Sequence, residues 1–214
     1  MNTEQLIKQL VEEGAQEALP HPMKQTMKWL LVALLYLVGV SLFFGFRADI
    51  AVQLSTVTID LELLFLLAMA VSAALAAFCL SRPDGHQMPW IKYIPFAFLL
   101  PWAITAFAGS AGDLQLANIL HEMTLNQFGC PWHILLFSVP PGIVMFLALR
   151  KGATIRCCWA GLMAAWSVST FAYMLMRLFE QNDDPAHLLV WHVFPIVLIC
   201  IAGMMIGKFA LRWR

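Results

Sequence analysis

Apolar residues in this chain are gathered into six long stretches, separated by short polar segments. The stretches are 29–46, 61–80, 93–109, 132–149, 157–176 and 188–207. Each is close to the roughly 20 residues with which a helix, at about 1.5 Å per residue, crosses about 30 Å of hydrocarbon. The pattern therefore predicts an all-α integral membrane protein built as a bundle of six transmembrane helices.

The basic residues are sorted by side. An even number of spans puts both termini on one side, and eleven of the 13 Lys and Arg residues fall there. These eleven are Lys8, Lys24, Lys28, Arg82, Lys92, Arg150, Lys151, Arg156, Lys208, Arg212 and Arg214. The other side keeps only Arg47 and Arg177, and it holds most of the acids. Because cytoplasmic loops carry the excess of Lys and Arg, we predict that both termini are cytoplasmic.

This topology divides the chain into three parts. Residues 1–28 form a cytoplasmic N-terminal segment, 29–208 the six-helix membrane domain, and 209–214 a cytoplasmic tail. Small residues recur three or four positions apart at Gly203 and Gly207, and at Ala70, Ala74 and Ala77. Such spacing lets helix backbones approach closely, so we expect these faces to pack inside the bundle.

Composition narrows the functional classes. The chain is 61% hydrophobic, its mean hydropathy is +0.75 and its formal net charge is zero, so nothing indicates direct nucleic-acid binding. No phosphate loop, nucleophile elbow or metalloprotease motif is present, and we predict neither an enzyme nor a bound cofactor. Proton-coupled transport is disfavoured because no ionisable group lies convincingly at mid-depth. Glu62 and Lys92 are expected to be solvated near the membrane interfaces.

Residues 3–19 are predicted to form a short amphipathic helix, which Pro20 and Pro22 end. An apolar stripe lies beside an acidic face, and the partner-binding residues we predict are Leu6, Ile7, Leu10, Val11, Glu12 and Glu13. The helix has two other interpretations. It either lies on the lipid surface, where its acidic face would be repelled by anionic lipid, or packs under the bundle.

Cysteine and histidine side chains gather on the predicted outer side. Cys130 and His133 are three residues apart, so one helical face presents both, and His121, His187 and His192 are predicted on the same side. Thiolate and imidazole are ligands for zinc or copper, and Glu122 or Asp184 would complete a set. Candidate metal ligands are thus Cys130, His133 and His187. Ordinary interfacial histidines are the alternative.

Three segments together resemble one known family, the six-span anti-sigma factors of the NrsF type. They are the N-terminal TEQLIKQLVEEGAQEALPHP, the span that begins with Cys130 in CPWHILLFSVPPGIVMFLALRKGA, and a C-terminal block of Gly161, Tyr173, Trp191, Gly203, Gly207 and Leu211-Arg212-Trp213. The resemblance implies a multi-pass protein of the bacterial inner membrane. It implies that the protein sequesters an extracytoplasmic-function (ECF) sigma factor at the cytoplasmic face and releases it on an envelope or periplasmic signal.

The chain departs from this family at one position. Such proteins typically carry a second periplasmic cysteine between the tyrosine of the fifth span and the tryptophan of the sixth, and none lies between Tyr173 and Trp191. Two-cysteine sensing therefore cannot be carried over whole, because only Cys130 matches, and the signal-sensing residues that we predict are Cys130 and His133. Sensing through a disulfide between two copies or through another stimulus stays open. The rival hypothesis is a small six-helix transporter or membrane chaperone without sigma-factor contact, and a membrane enzyme is a third.

Overall fold

A computed structural model describes residues 2–12, 20–107, 115–125 and 127–212, and within these ranges the chain has helices and no strand. The helices are α1 (Thr3–Glu12), α2 (Pro22–Phe44), α3 (Ile50–Gln53), α4 (Val57–Leu80), α5 (Ile94–Phe107), α6 (Leu116–Thr124), α7 (Gly129–Leu149), α8 (Cys157–Phe179), α9 (Pro185–His187) and α10 (Phe194–Ala210). Two 3-10 turns, Pro83–Gln87 and Ile91–Tyr93, lie between α4 and α5. A π-helical turn, Leu188–Val193, joins α9 to α10.

Within the described residues, five helical segments are long and apolar enough to cross a membrane. They are Pro22–Phe44, Val57–Leu80, Gly129–Leu149, Cys157–Phe179 and the continuous segment Pro185–Ala210. A further apolar stretch, Ile91–Phe107, is shorter, and the predicted end of that span at residue 109 lies outside the described residues. The all-helical membrane architecture is confirmed. The sixth crossing and the orientation of the termini remain predictions.

The first long helix begins ahead of the apolar stretch predicted from residue 29. Pro22 occupies the first turn of α2, where its missing N–H needs no partner and its fixed φ suits a helix. His21 caps this end, because its Nδ1 accepts a hydrogen bond from the Met23 N–H at 3.3 Å. The predicted N-terminal helix over 3–19 is described as Thr3–Glu12, and residues 13–19 lie outside the described part of the chain.

Helix α8 lies at the centre of the bundle and packs against α2, α4, α7 and α10. Its closest approach is to α10, where a Cβ on Gly161 would lie 2.7 Å from the Gly207 Cα. Ala70, Ala74 and Ala77 of α4 are fully buried. Both small-residue faces therefore pack inside the bundle, as predicted. Two short helices that the hydrophobic pattern did not predict, α3 and α6, lie between the long ones.

Candidate functional site

Four side chains that can bind a metal converge at the end of the bundle predicted to face outward. They are Cys130, Glu180, His187 and His192, and their ligand atoms all lie within 4.8 Å of one another. The two histidines are fully buried, while Cys130 and Glu180 are half-buried. This group is called the Cys130 cluster below.

Glu180 contacts the other three members. Its Oε1 accepts a hydrogen bond from Cys130 Sγ at 3.2 Å and lies 2.9 Å from His187 Nε2. Cys130 Sγ is itself 3.8 Å from His187 Nε2. Burial raises the pKa of Glu180, but the hydrogen bond from His187 and the closeness of His192 outweigh burial and bring the pKa below its ordinary value. The carboxylate is therefore ionised.

The cluster is assembled from the ends of three long segments. Glu180 directly follows α8, and Cys130 lies in the first turn of α7. His187 and His192 belong to the last segment, on either side of the start of its π-helical turn.

The π-helical turn brings the two histidines onto one face. Its hydrogen bonds join residues five apart, which places side chains at that spacing above one another, and the rings of His187 and His192 lie 5.3 Å apart. In an α-helix, at about 100° per residue, they would point roughly 140° apart. Pro195 favours the wider turn, because its ring would clash with the Trp191 carbonyl in an α-helix.

Glu122 supports the cluster from α6. Its Oε2 lies 3.3 Å from His187 Nδ1, and its side chain is buried. A histidine that binds a metal usually directs its second ring nitrogen to a carboxylate, which fixes the ring and leaves the first nitrogen for the metal. Glu122 thus orients the Nε2 of His187 toward Cys130 and Glu180.

His192 and Glu180 leave buried polar atoms without partners. His192 Nε2 and Glu180 Oε2 are 2.8 Å apart, yet they are not aligned for a hydrogen bond, and neither has another partner among the described residues. A cation between them would satisfy both. One thiolate, two imidazoles and one carboxylate are also a ligand set that suits tetrahedral zinc, so the residues present fit this metal.

Two arginines fix the loop that follows Glu180. Arg47 forms ion pairs with Asp49 at 2.7 Å and with Asp183 at 2.8 Å, and Arg177 reaches the same Asp183 from α8. The hydrogen bond from Arg47 lowers the pKa of Asp49 to about 2. Burial raises the pKa of Asp183, but both arginines outweigh it and lower that pKa. The two cations predicted on the outer side thus serve as structural ties.

The buried position of Glu62 differs from the expectation from the sequence. It was predicted to be solvated near the interface, but it is 1% exposed. Its carboxylate accepts hydrogen bonds from Arg177 at 3.0 Å and from the Tyr173 hydroxyl at 3.1 Å. The prediction was wrong because both partners come from α8, more than a hundred positions along the chain.

The structure brings together some of the predicted metal ligands and not others. Cys130 and His187 meet, whereas His133 is exposed and stacks on Phe137 with ring centroids 5.9 Å apart, outside the Cys130 cluster. His121 is exposed. Asp184 caps α9 by accepting the Ala186 N–H at 3.0 Å.

The sequence analysis did not include Glu180 among the candidate ligands, and it placed His192 on the same side as Cys130 without naming it as one. The signal for His192 was Pro195 three residues later, which marks an irregular helical turn. The signal for Glu180 was an acid directly after a long apolar helix, although its distance from Cys130 in the chain hid the contact.

The predicted partner-binding residues are described only in part. In α1, Leu6 is 42% and Ile7 56% exposed, so these two apolar side chains are available for contact. The side chains of Leu10, Val11 and Glu12, together with Glu13, lie outside the described residues. Arg82 donates a hydrogen bond to the Pro20 carbonyl at 3.1 Å, which joins this segment to the turn Pro83–Gln87.

These observations define a helical membrane protein with a polar cluster buried at one end. The family described as negative regulator of sigma F, NrsF, matches residues 12–213, nearly the whole chain. The chain therefore belongs to the NrsF family, whose name denotes negative regulators of a sigma factor. Neither the curated proteins nor the solved structures give a significant match.

Proposed function

We propose that this protein is an inner-membrane anti-sigma factor that holds an ECF sigma factor at the cytoplasmic face and releases it on an envelope or periplasmic signal. The family match over residues 12–213 carries this proposal. In the proposed topology, Ile91–Phe107 completes six crossings, and both termini lie in the cytoplasm. The distribution of Lys and Arg supports this orientation.

The proposed capture surface is the N-terminal helix. Leu6 and Ile7 expose apolar side chains on α1, and buried apolar anchors supply most of the affinity of an interface. Glu12 and Glu13 would orient a basic surface of the sigma factor and speed its association. The contact between Arg82 and Pro20 supports a contribution from the turn Pro83–Gln87.

The proposed sensing site is the Cys130 cluster. Binding of a soft or borderline divalent cation would replace the hydrogen bonds around Glu180 with metal–ligand bonds. Glu180 directly follows α8, the central helix, and α8 is tightly packed on α10 through Gly161 and Gly207. A shift at Glu180 would therefore bias the packing of both helices and alter the cytoplasmic end of the bundle.

Co-purification of the full-length protein tests the capture step. The protein is expressed with an ECF sigma factor from the same genome, extracted in mild detergent and isolated through an affinity tag. We expect the sigma factor to remain bound to the wild type, and to be lost when Leu6→Asp and Ile7→Asp place charges on the apolar face.

A matched variant separates this face from a general effect of added charge. Gln5→Asp and Gln9→Asp add the same two charges at exposed polar positions of α1 and should retain the sigma factor. If the wild type fails to retain any sigma factor, the anti-sigma proposal is wrong. If both double variants lose it equally, the apolar face is not the capture surface.

A further inference from the structure

A basic cavity lies at the opposite end of the bundle from the Cys130 cluster, where α8 begins and α10 ends. Its volume is about 580 Å³. Three cations line it, Arg156 before α8 and Lys208 and Arg212 near the end of α10. The sequence places all three on the predicted cytoplasmic side.

Among the residues that the structure describes, the three cations have no carboxylate partner. Within the described part of the chain none of them forms a salt bridge, and no Asp or Glu lines the cavity. This contrasts with Arg47, Arg177 and the half-buried Arg82, each of which is paired with an acid. Three like charges that converge on one cavity repel one another unless an anion lies between them.

The wall of the cavity is amphipathic. Ile155 is 65% and Phe209 75% exposed, and both line the cavity beside the cations. Trp159 also lines it, and Lys92 Nζ lies 4.3 Å from the Trp159 ring centroid. Tryptophan and lysine at a helix end are typical of the level of lipid headgroups. An anion with an attached hydrocarbon chain fits this wall better than a purely polar one.

We propose that this cavity binds the phosphate headgroup of an anionic phospholipid, with Arg156, Lys208 and Arg212 around the phosphate and with Ile155 and Phe209 against the upper part of the acyl chains. Basic pockets between helices on the cytoplasmic side are the usual sites for such headgroups. The inference rests on the membrane location in the proposed function and not on sigma-factor capture. A bound lipid would fix the end of α10 against the start of α8.

Native mass spectrometry of the full-length protein tests the site. The protein is purified in mild detergent with equal amounts of phosphatidylglycerol and phosphatidylcholine, and the lipid retained is counted. We expect the wild type to prefer phosphatidylglycerol, and Arg212→Gln to weaken its retention roughly fivefold, since one basic residue near the surface contributes about that factor. The triple variant Arg156→Gln, Lys208→Gln, Arg212→Gln should lose the preference.

The matched control removes the same number of positive charges at positions outside the cavity. Lys24→Gln, Lys28→Gln, Lys151→Gln changes exposed cations on the same predicted side and should keep the preference. Equal loss in both triple variants would overturn the proposal, because net charge would then explain it. A helical circular dichroism spectrum shows that each variant is folded. If the triple variant is unfolded, the single variant Arg212→Gln still decides the test.

Two further arms identify the anion. Displacement of phosphatidylglycerol by millimolar inorganic phosphate would overturn the lipid assignment in favour of a free-phosphate site. Sigma-factor retention is scored on the same samples. If the cavity variant loses the sigma factor while retaining phosphatidylglycerol, the cavity contacts an acidic protein surface, and the lipid proposal is wrong. If the wild type retains phosphatidylglycerol but no sigma factor, the proposed function is overturned and the lipid result stands.

Discussion

Glu62 and Arg177, 115 positions apart in the chain, form an ion pair with an N–O distance of 3.0 Å inside the bundle. Both side chains are more than nine-tenths buried. Arg177 also reaches Asp183, and Tyr173 donates to the same Glu62. The pair therefore joins α4 to the end of α8 that carries the Cys130 cluster.

Removing one member of this pair should destabilise the protein strongly. Glu62→Gln removes the buried carboxylate that Arg177 faces and leaves the arginine paired with Asp183, so the cost lies at the lower end of that for a broken buried pair, about 3 kcal/mol. The free energy of unfolding, measured in mixed detergent micelles, checks the value. Asp60→Asn is the control, because Asp60 is exposed on the same helix and should change stability little. Equal effects of the two substitutions would contradict the structural role of the pair.

Zinc binding should depend on the Cys130 cluster and not on His133. We expect Cys130→Ser and His187→Gln to abolish high-affinity zinc uptake by the purified protein, measured by competition with a chromogenic chelator. Glu122→Gln should weaken it by about 10–100-fold, since Glu122 orients His187 without belonging to the cluster. His133→Gln removes an exposed histidine and should leave the affinity unchanged. A wild type that takes up no zinc would refute the metal assignment.

The contact between α8 and α10 should not tolerate even one added methyl group. In Gly161→Ala the new Cβ would meet the Gly203 carbonyl oxygen and the Gly207 Cα, which are backbone atoms that cannot rotate away. Overpacking of this kind costs about 1–3 kcal/mol. Gly39→Ala in α2 is the control, because nothing lies within 4 Å of its added Cβ. The melting temperatures in detergent should fall for Gly161→Ala alone.

Stability should fall at acid pH as the pairs of Arg47 are lost. The folded-state pKa of Asp49 is about 2, below the value of about 3.9 for an unfolded chain. The contribution of Asp49 to stability is therefore complete above about pH 4 and is lost as the pH falls through about 2. Asp183 titrates in the same direction, because its pKa is also lowered.

The measurement compares the melting temperature of the wild type with that of Arg47→Gln across this range. We expect the melting temperature of the wild type to exceed that of Arg47→Gln by the largest margin above about pH 4, and this difference to shrink toward pH 2. Lys151→Gln, at an exposed cation, should show no such trend. A difference between wild type and Arg47→Gln that is constant with pH would show that the carboxylates do not carry the effect.

The sequence by itself determined the helical membrane architecture, the family and the internal packing of the small residues. These follow from local properties, because the length of an apolar run and the spacing of glycines act within single helices. It also identified Cys130 and His187 as candidate ligands, since only their residue types and predicted side were needed.

Only the tertiary structure decided which polar groups meet. Glu180 joins Cys130, 50 positions away, because the ends of α7 and α8 are neighbours. His192 faces His187 because a π-helical turn replaces an α-helical one, and Glu62 is buried because α8 supplies both of its partners. Such contacts depend on how the helices pack against one another, and the periodicity of a single helix contains no information about its neighbours.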